Sequence, residues 1–194
     1  DSPTYQNLPT YLQTLGFTVA TEQQEVCPTI PLATTFEDYL ESLDKKQRHE
    51  LRRKIRRAEG DDDKIAWYMV GEQHNLADEL NSFVALMAAS QQQKAVFLSD
   101  PQNVDFFQRI MPLVYENGWL HLVFLTVNGV RAAAYLNFAY HGQMLVYNSG
   151  LLPSQFAYLS PGIILLAYDI QYAIEQGFTS YDFLRGDEDY KYRM

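Results

Sequence analysis

The sequence predicts an α/β (α+β) protein: a mixed, mostly antiparallel sheet with a central antiparallel meander, flanked by helices. Two observations carry that prediction. Asn128–Gly129 and His141–Gly142 are two-residue hairpin signals set between strand-forming runs, which places antiparallel strands at Trp119–Val127, Val130–Tyr140 and Gln143–Ser149. Further on, Ile163, Ile164, Leu166, Ala167, Ile170, Ala173 and Ile174 form an apolar stripe at helical spacing. Ser160 and Pro161 suit the start of that helix and Gly177 its end, and a short aromatic strand, Tyr181–Leu184, follows.

The remaining elements follow in chain order. Thr4–Leu15 reads as a short helix closed by Gly16, and Phe17–Val26 as a strand. Pro28 and Pro31 interrupt Cys27–Ala33, which reads as a connector. Thr35, with Asp38 three residues on, caps the helix TFEDYLESL; Asp44, with Gln47 in the capping-box position, starts DKKQRHELRRKIRRAEG. Gly60–Asp63 is a turn and Lys64–Val70 a strand. Asn75 to about Ser90 is helical through Leu76, Leu80, Phe83, Val84 and Met87. Asp100–Pro101 opens another helix that runs to Gly118, with Pro112 expected to kink or split it. The expected core order is strand, two helices, three meander strands, helix, strand. Residues 1–33 are expected to be an N-terminal helix, strand and connector, the tail of a preceding half, and 34–194 the folded domain.

A chain of 194 residues that is 47% hydrophobic and 14% aromatic is globular. The longest apolar run, Gly162–Tyr168, is far too short for a bilayer, so no membrane span is expected. Cys27 is the only cysteine, which excludes an internal disulfide and fits a cytoplasmic location. His49, His74, His121 and His141 have no metal-ligand spacing, and HExxH, CxxC, P-loop and serine-elbow patterns are lacking, so no metal is expected.

Charge is unevenly distributed. Lys45–Arg57 holds eight Lys or Arg and one acid, Glu50, leaving −16 on the remainder of a chain whose net charge is −9. The acidic body argues against general nucleic-acid binding. Along the basic helix Lys45, Arg48, Arg52 and Arg56 share a face, with Arg53 and Arg57 beside them, and only Leu51 and Ile55 as clear apolar anchors. Like charges at this spacing repel. They need acids such as Asp61–Asp63, an anionic ligand, or the carboxylates Asp182, Asp187, Glu188 and Asp189. The expectation is that at least one of Arg48, Arg52, Arg53 and Arg56 pairs with that C-terminal group. Asp182 and Arg185 could pair with each other.

Four segments carry a resemblance: FEDYLESLDKKQRHELRRKIRRAE, LHLVFLTVNGVRAAAYLNF, YLSPGIILLAYDIQYAIEQG and YDFLRGDEDYKYR. Together they resemble the GCN5-related N-acetyltransferase (GNAT) superfamily, and within it the CelD-type acetyltransferases of cellulose biosynthesis, which are related to the Fem-type peptidyltransferases. Members of this branch generally have an additional N-terminal half and continue past YKYR, so the chain is expected to be the C-terminal catalytic-type domain of a longer protein. Leu151–Gly162 departs from the family's Gly-rich pyrophosphate loop in having only Gly162 and no basic residue.

The resemblance implies that the strands at Gln143–Ser149 and Ser180–Leu184 splay apart to admit an acyl thioester, with acetyl-CoA or a longer acyl-CoA as co-substrate. Asn148, Ser160, Pro161, Gly162 and Ile163 would contact it. An amine or hydroxyl of a small-molecule, saccharide or cell-envelope acceptor attacks directly. Glu188 or Asp187 is then the candidate base, Tyr147 or Tyr190 the candidate acid, and Arg52, Arg53, Arg56, Asp182, Arg185 and Lys191 are candidate acceptor contacts. The alternatives are a Fem-type transfer from aminoacyl-tRNA, the one case that brings in nucleic acid, and a non-catalytic binding domain.

Overall fold

A computed structural model describes residues 2–60, 63–152 and 155–194. Its order is α1 (Pro3–Thr14), β1 (Thr29–Pro31), α2 (Phe36–Ser42), α3 (Lys45–Ala58), β2 (Ile65–Met69), α4 (Leu76–Ser90), α5 (Gln92–Ser99), α6 (Pro101–Glu116), β3 (Leu120–Val127), β4 (Val130–Tyr140), β5 (Gln143–Leu151), α7 (Pro161–Glu175) and β6 (Ser180–Asp182). One sheet runs β1-β6-β5-β4-β3-β2, antiparallel except where β6 lies parallel to β5. The mixed α/β class and the central meander are as expected. Asn128, Gly129, His141 and Gly142 all have positive φ, the backbone that tight hairpins matching the strand twist require.

Apolar cores fill both faces of the sheet. On one side α2, α3 and α7 pack around Leu125, Tyr135, Met144, Leu166 and Ile170; on the other Leu80, Phe83, Phe107 and Met111 of α4 and α6 cover Leu122, Phe124 and Leu136. α7 is buried nearly all round, and its one buried acid is Asp169. Asp169 Oδ1 lies 2.5 Å from His121 Nε2, while Oδ2 accepts from Asn137 Nδ2 at 2.7 Å and from the Tyr181 hydroxyl at 2.5 Å. This knot ties α7 to β3, β4 and β6.

Several expectations are corrected. Phe17–Val26 is not a strand; the strand is β1, within the presumed connector, and it pairs antiparallel with β6 through Thr29↔Asp182 and Pro31↔Ser180. Proline is tolerated there because β1 is the sheet edge. The meander is preceded by three helices rather than two, since α5 separates α4 from α6. α6 runs through Pro112 without splitting. β6 ends at Asp182 because Asp182 Oδ1 accepts the Leu184 N–H and Leu184 turns left-handed at φ 51. Ser160 does not cap α7: it is itself left-handed and its Oγ accepts from Lys54.

The arginines of α3 do not pair with the C-terminal carboxylates. Arg48 binds Glu41, Arg52 binds Glu37 and Glu41, and Arg53 binds Glu50. The reason is local: Leu43 and Asp44 fold α2 back beside α3, so the acids of α2 arrive first. Asp182 and Arg185 do not pair either; Arg185 Nε lies 3.4 Å from Glu25. Asp61 and Asp62 lie outside the described residues. Asp63 accepts from Tyr158 and Asn128, which holds its carboxyl below the usual range.

Candidate functional site

The β5–β6 ladder has three pairs, Gln143↔Ser180, Met144↔Tyr181 and Leu145↔Asp182, and then stops. β5 continues to Leu151 along β4, so beyond Leu145 its other edge is released by β6. Opposite Leu136–Asn137 the β4–β5 register shifts, leaving Tyr147 as the extra residue of a bulge. Bulges bend and twist a strand and re-aim its side chains. Gly150 is needed just after it: a Cβ there would fall 2.6 Å from the Met87 backbone nitrogen of α4.

On the α7 side of this opening, Tyr135, Ser149, Leu151, Ser160, Gly162 and Tyr190 help line a cavity of about 280 Å³. Ile163 and Tyr190 also line a second cavity of about 210 Å³, whose far wall is Glu50, Lys54 and Arg193. The two form one groove along the start of α7. Gly162 permits the close approach of Leu151, whose Cδ2 would lie 2.8 Å from a Cβ at position 162.

The chain before α7 has no cation of its own, and α3 supplies two. Lys54 Nζ donates to Ser160 Oγ at 2.7 Å, and Arg57 donates to the Tyr158 carbonyl at 3.1 Å. A helix N-terminus with cations beside it suits an anion. The sequence points to Arg52, Arg53 and Arg56, but Arg52 and Arg53 are held by glutamates, and the cation of α3 that lines the groove is Lys54, with Arg57 nearby at the Tyr158 carbonyl.

The segment after β6 wraps around Lys191. Its buried ammonium lies 2.8 Å from Glu188 Oε2 and donates to the carbonyls of Phe183, Arg185 and Gly186. Burial pushes the Glu188 carboxyl up, but the Lys191 hydrogen bond, the loop backbone and the nearby charges of Lys191 and Lys94 together outweigh it, and the carboxyl sits below its ordinary value. Gly186, at φ 128, has no room for a side chain: a Cβ would meet Glu188 Oε2 at 2.5 Å and Lys191 Nζ at 2.9 Å. The Glu188–Lys191 pair of this motif therefore folds a loop, while Tyr190 and Arg193 line the groove.

The other expected site residues fall as follows. Burial pushes the Tyr190 phenol up to about 12. Tyr147 lies against Phe107 and Phe138, on the α6 side of the sheet, so the two tyrosines occupy opposite faces. Asp187 accepts from the Tyr192 hydroxyl, and Asn148 Oδ1 accepts the Ser149 N–H. Arg185 turns to a separate cavity of about 550 Å³ beside Glu25 and Cys27. One residue escaped the sequence reading entirely. Lys94 of α5 places its Nζ 2.6 Å from the Ser149 carbonyl oxygen, at the open edge of β5. It sits in a glutamine run with no motif around it, and only the docking of α5 brings it there. No group of histidine, cysteine and carboxylates among the described residues could hold a metal ion, and no helix is long and apolar enough to cross a membrane.

The fold has known counterparts. FemX superposes with a TM-score of 0.65 at 12% identity, covering 94% of this chain and 61% of that one. L-PGS from Bacillus licheniformis gives 0.50 at 13% identity, covering 83% and 45%. A conserved protein of unknown function from Bacteroides thetaiotaomicron VPI-5482 gives 0.50 at 14%, covering 96% and 60%. The chain thus spans about three fifths of the length of FemX. No curated protein matches its sequence. Residues 45–192, which include the splayed strands, the groove and the Lys191 loop, match the family model for the acetyltransferase (GNAT) domain, and to that family this chain belongs.

Proposed function

We propose that the chain is an acyltransferase that moves an acyl group from acetyl-CoA or a longer acyl-CoA to an amine or hydroxyl of a small-molecule, sugar or cell-envelope precursor, in the manner of the CelD-type branch. The observation that carries this reading is the parting of β5 from β6 after Leu145, beside the groove at the start of α7. Backbone N–H groups on a strand edge released in this way can hydrogen-bond the thioester carbonyl and the oxyanion formed on attack. The first turn of α7, with Lys54 and Arg57, would hold the pyrophosphate, and Gly162 keeps a side chain out of its way.

The acceptor attacks the thioester carbon directly, and the thiolate leaves. Glu188 is ionised and held low by Lys191, so it orients the nucleophile; it takes a proton only after attack, when the acceptor nitrogen is positively charged and acidic. Tyr190 keeps its proton near neutrality and donates a hydrogen bond to the departing sulfur. Tyr147, on the opposite face, is left for the acceptor's approach.

Calorimetry with acetyl-CoA and a longer acyl-CoA tests this reading. Lys54→Glu or Arg57→Glu is expected to weaken binding at least about tenfold, because each removes a charge-assisted contact. Absence of binding to either donor would sink the proposal. A Fem-type transfer from aminoacyl-tRNA is the second reading, favoured by Lys45, Lys46 and Arg56, which are exposed and have no ion pair among the described residues. It requires salt-dependent tRNA binding that disappears when Arg52, Arg53, Arg56 and Arg57 are reversed to Glu.

A further inference from the structure

Lys94 is a charged group at the edge of the cleft, in contact with Ser149, that the acyl-transfer reading leaves unused. Its helix, α5, has eight residues and buries none of them, yet it holds this side chain over β5. Nζ donates to the Ser149 carbonyl at 2.6 Å and to Ser149 Oγ at 3.4 Å, and both partners are neutral. No carboxylate among the described residues forms an ion pair with it. Glu188 acts on it through its field alone, and the Glu188 carboxylate is already held by Lys191 at 2.8 Å. Burial lowers the pKa of the Lys94 ammonium, and Glu188 offsets only part of that effect.

The fold therefore keeps a partly desolvated cation, with one N–H unused, beside Ser149, which lines the cavity with Gln91, Gly162 and Tyr190. A buried charge without an anion in contact costs stability, and a neutral donor would anchor α5 to Ser149 at lower cost. Such a charge is useful when an anion arrives. Lys54 and Arg57 already serve the start of α7, and Lys94 approaches β5 from the other helical layer. We propose that Lys94 Nζ binds a carboxylate or phosphate on the acceptor, so that the acceptor is a molecule carrying a negative charge close to its nucleophilic nitrogen or oxygen. Placing that anion on the acceptor rests on the acyl-transfer reading; binding of an anion at Lys94 does not.

The first experiment labels the lysines of the full chain with acetic anhydride and reads each by mass spectrometry. It is run with inorganic phosphate, with succinate, or with chloride at matched ionic strength. Phosphate or succinate is expected to slow labelling of Lys94 by at least about fivefold and saturably, as bound ligand protects, while Lys45 and Lys46 are unaffected. Protection of Lys54 alone, or of no lysine, overturns the proposal.

The second experiment compares turnover, with acetyl-CoA as donor, of glycine against glycinamide and of glucosamine 6-phosphate against glucosamine. The carboxylate or phosphate member of at least one pair is expected to be favoured by about ten- to a hundredfold in kcat/KM, the worth of one charge-assisted hydrogen bond. Lys94→Met should erase that preference through acceptor KM, Lys94→Arg should retain part of it, and the KM for acetyl-CoA should not change. Equal use of neutral and anionic acceptors, or a Lys94→Met defect confined to the KM for acetyl-CoA, refutes the acceptor role. Where none of these amines turns over, the labelling result decides. Absence of acetyl-CoA binding in calorimetry would refute the acyl-transfer reading separately.

Discussion

Replacing Asp169 with alanine removes the centre of the polar knot and leaves three donors facing an apolar interior. His121 and Asp169 are 3% and 0% exposed, so water cannot take over without opening the core. Each buried group stripped of its partner costs about 1–3 kcal/mol, and breaking a buried pair costs about 3–5 kcal/mol in total. We take the second figure, because the three losses share one site and do not add. A domain with about 5–15 kcal/mol in hand would lose a large part of its stability. For a chain of this size the melting temperature should fall by about 6–20 °C. Asp169→Asn keeps the shape and loses the charge, and should fall between Asp169→Ala and the native protein. Urea unfolding followed by tryptophan fluorescence suits the measurement, because Trp67 stacks on Tyr168 and meets Tyr172 edge to face, both on α7, and reports whether the helix detaches. Replacing both Asp169 and His121 with leucine should recover part of the loss, since an apolar pair needs no partner. A destabilisation below about 1 kcal/mol for Asp169→Ala would refute the argument, because that is the worth of one ordinary exposed interaction.

Two further outcomes follow from the same geometry. Gly150→Ala forces a Cβ into the backbone of α4, and overpacking of this kind should cost about 1–3 kcal/mol in urea unfolding and push α4 away from the bulge; an unchanged midpoint would mean that α4 is not seated there. The Glu188 carboxyl is depressed below its ordinary 4.5, so the stability from its pairing with Lys191 is complete above that value and is lost as pH falls through the lower folded-state pKa. Lys191→Met should therefore be less stable at neutral pH and show a shallower loss of stability below pH 4.5 in a urea series; an unaltered acid slope would count against the pairing.

The elements legible in the sequence were those set by local chemistry. Positive φ at Asn128–Gly129 and His141–Gly142, and the side-chain caps at Thr35 and Asp44, act within a few residues and can be read from a short window. Phe17–Val26 looked like a strand, but the sheet edge it would have joined is taken by Thr29–Pro31, a matter of tertiary pairing. The partners of α3 were misread because a basic stripe announces a need for acids without saying which acids the next turn of chain delivers. The groove was half legible: Gly162 and Tyr190 stood in motifs, whereas Lys54 and Arg57 were hidden among eight equivalent cations, and Lys94 had no signal at all. Asp169 did leave one, since an acid within the apolar run of α7 must find a partner, but its partners lie 48 and 32 residues before it and 12 after it.

The position of β1 has a consequence for where this domain can be cut. The family match begins at residue 45, but β6 depends on Thr29–Pro31 for its outer hydrogen bonds, and the chain beyond it continues the attachment through Gly186 N–H to the Val26 carbonyl. A fragment trimmed to the matched stretch would lose these bonds, together with Glu37 and Glu41, and would present β6 as a bare edge next to the cleft. Unpaired edges recruit other chains. The smallest autonomous unit is therefore expected to reach upstream of the matched stretch to at least Val26, and a protein expressed from residue 45 would be expected to self-associate through the strand that borders its own cleft.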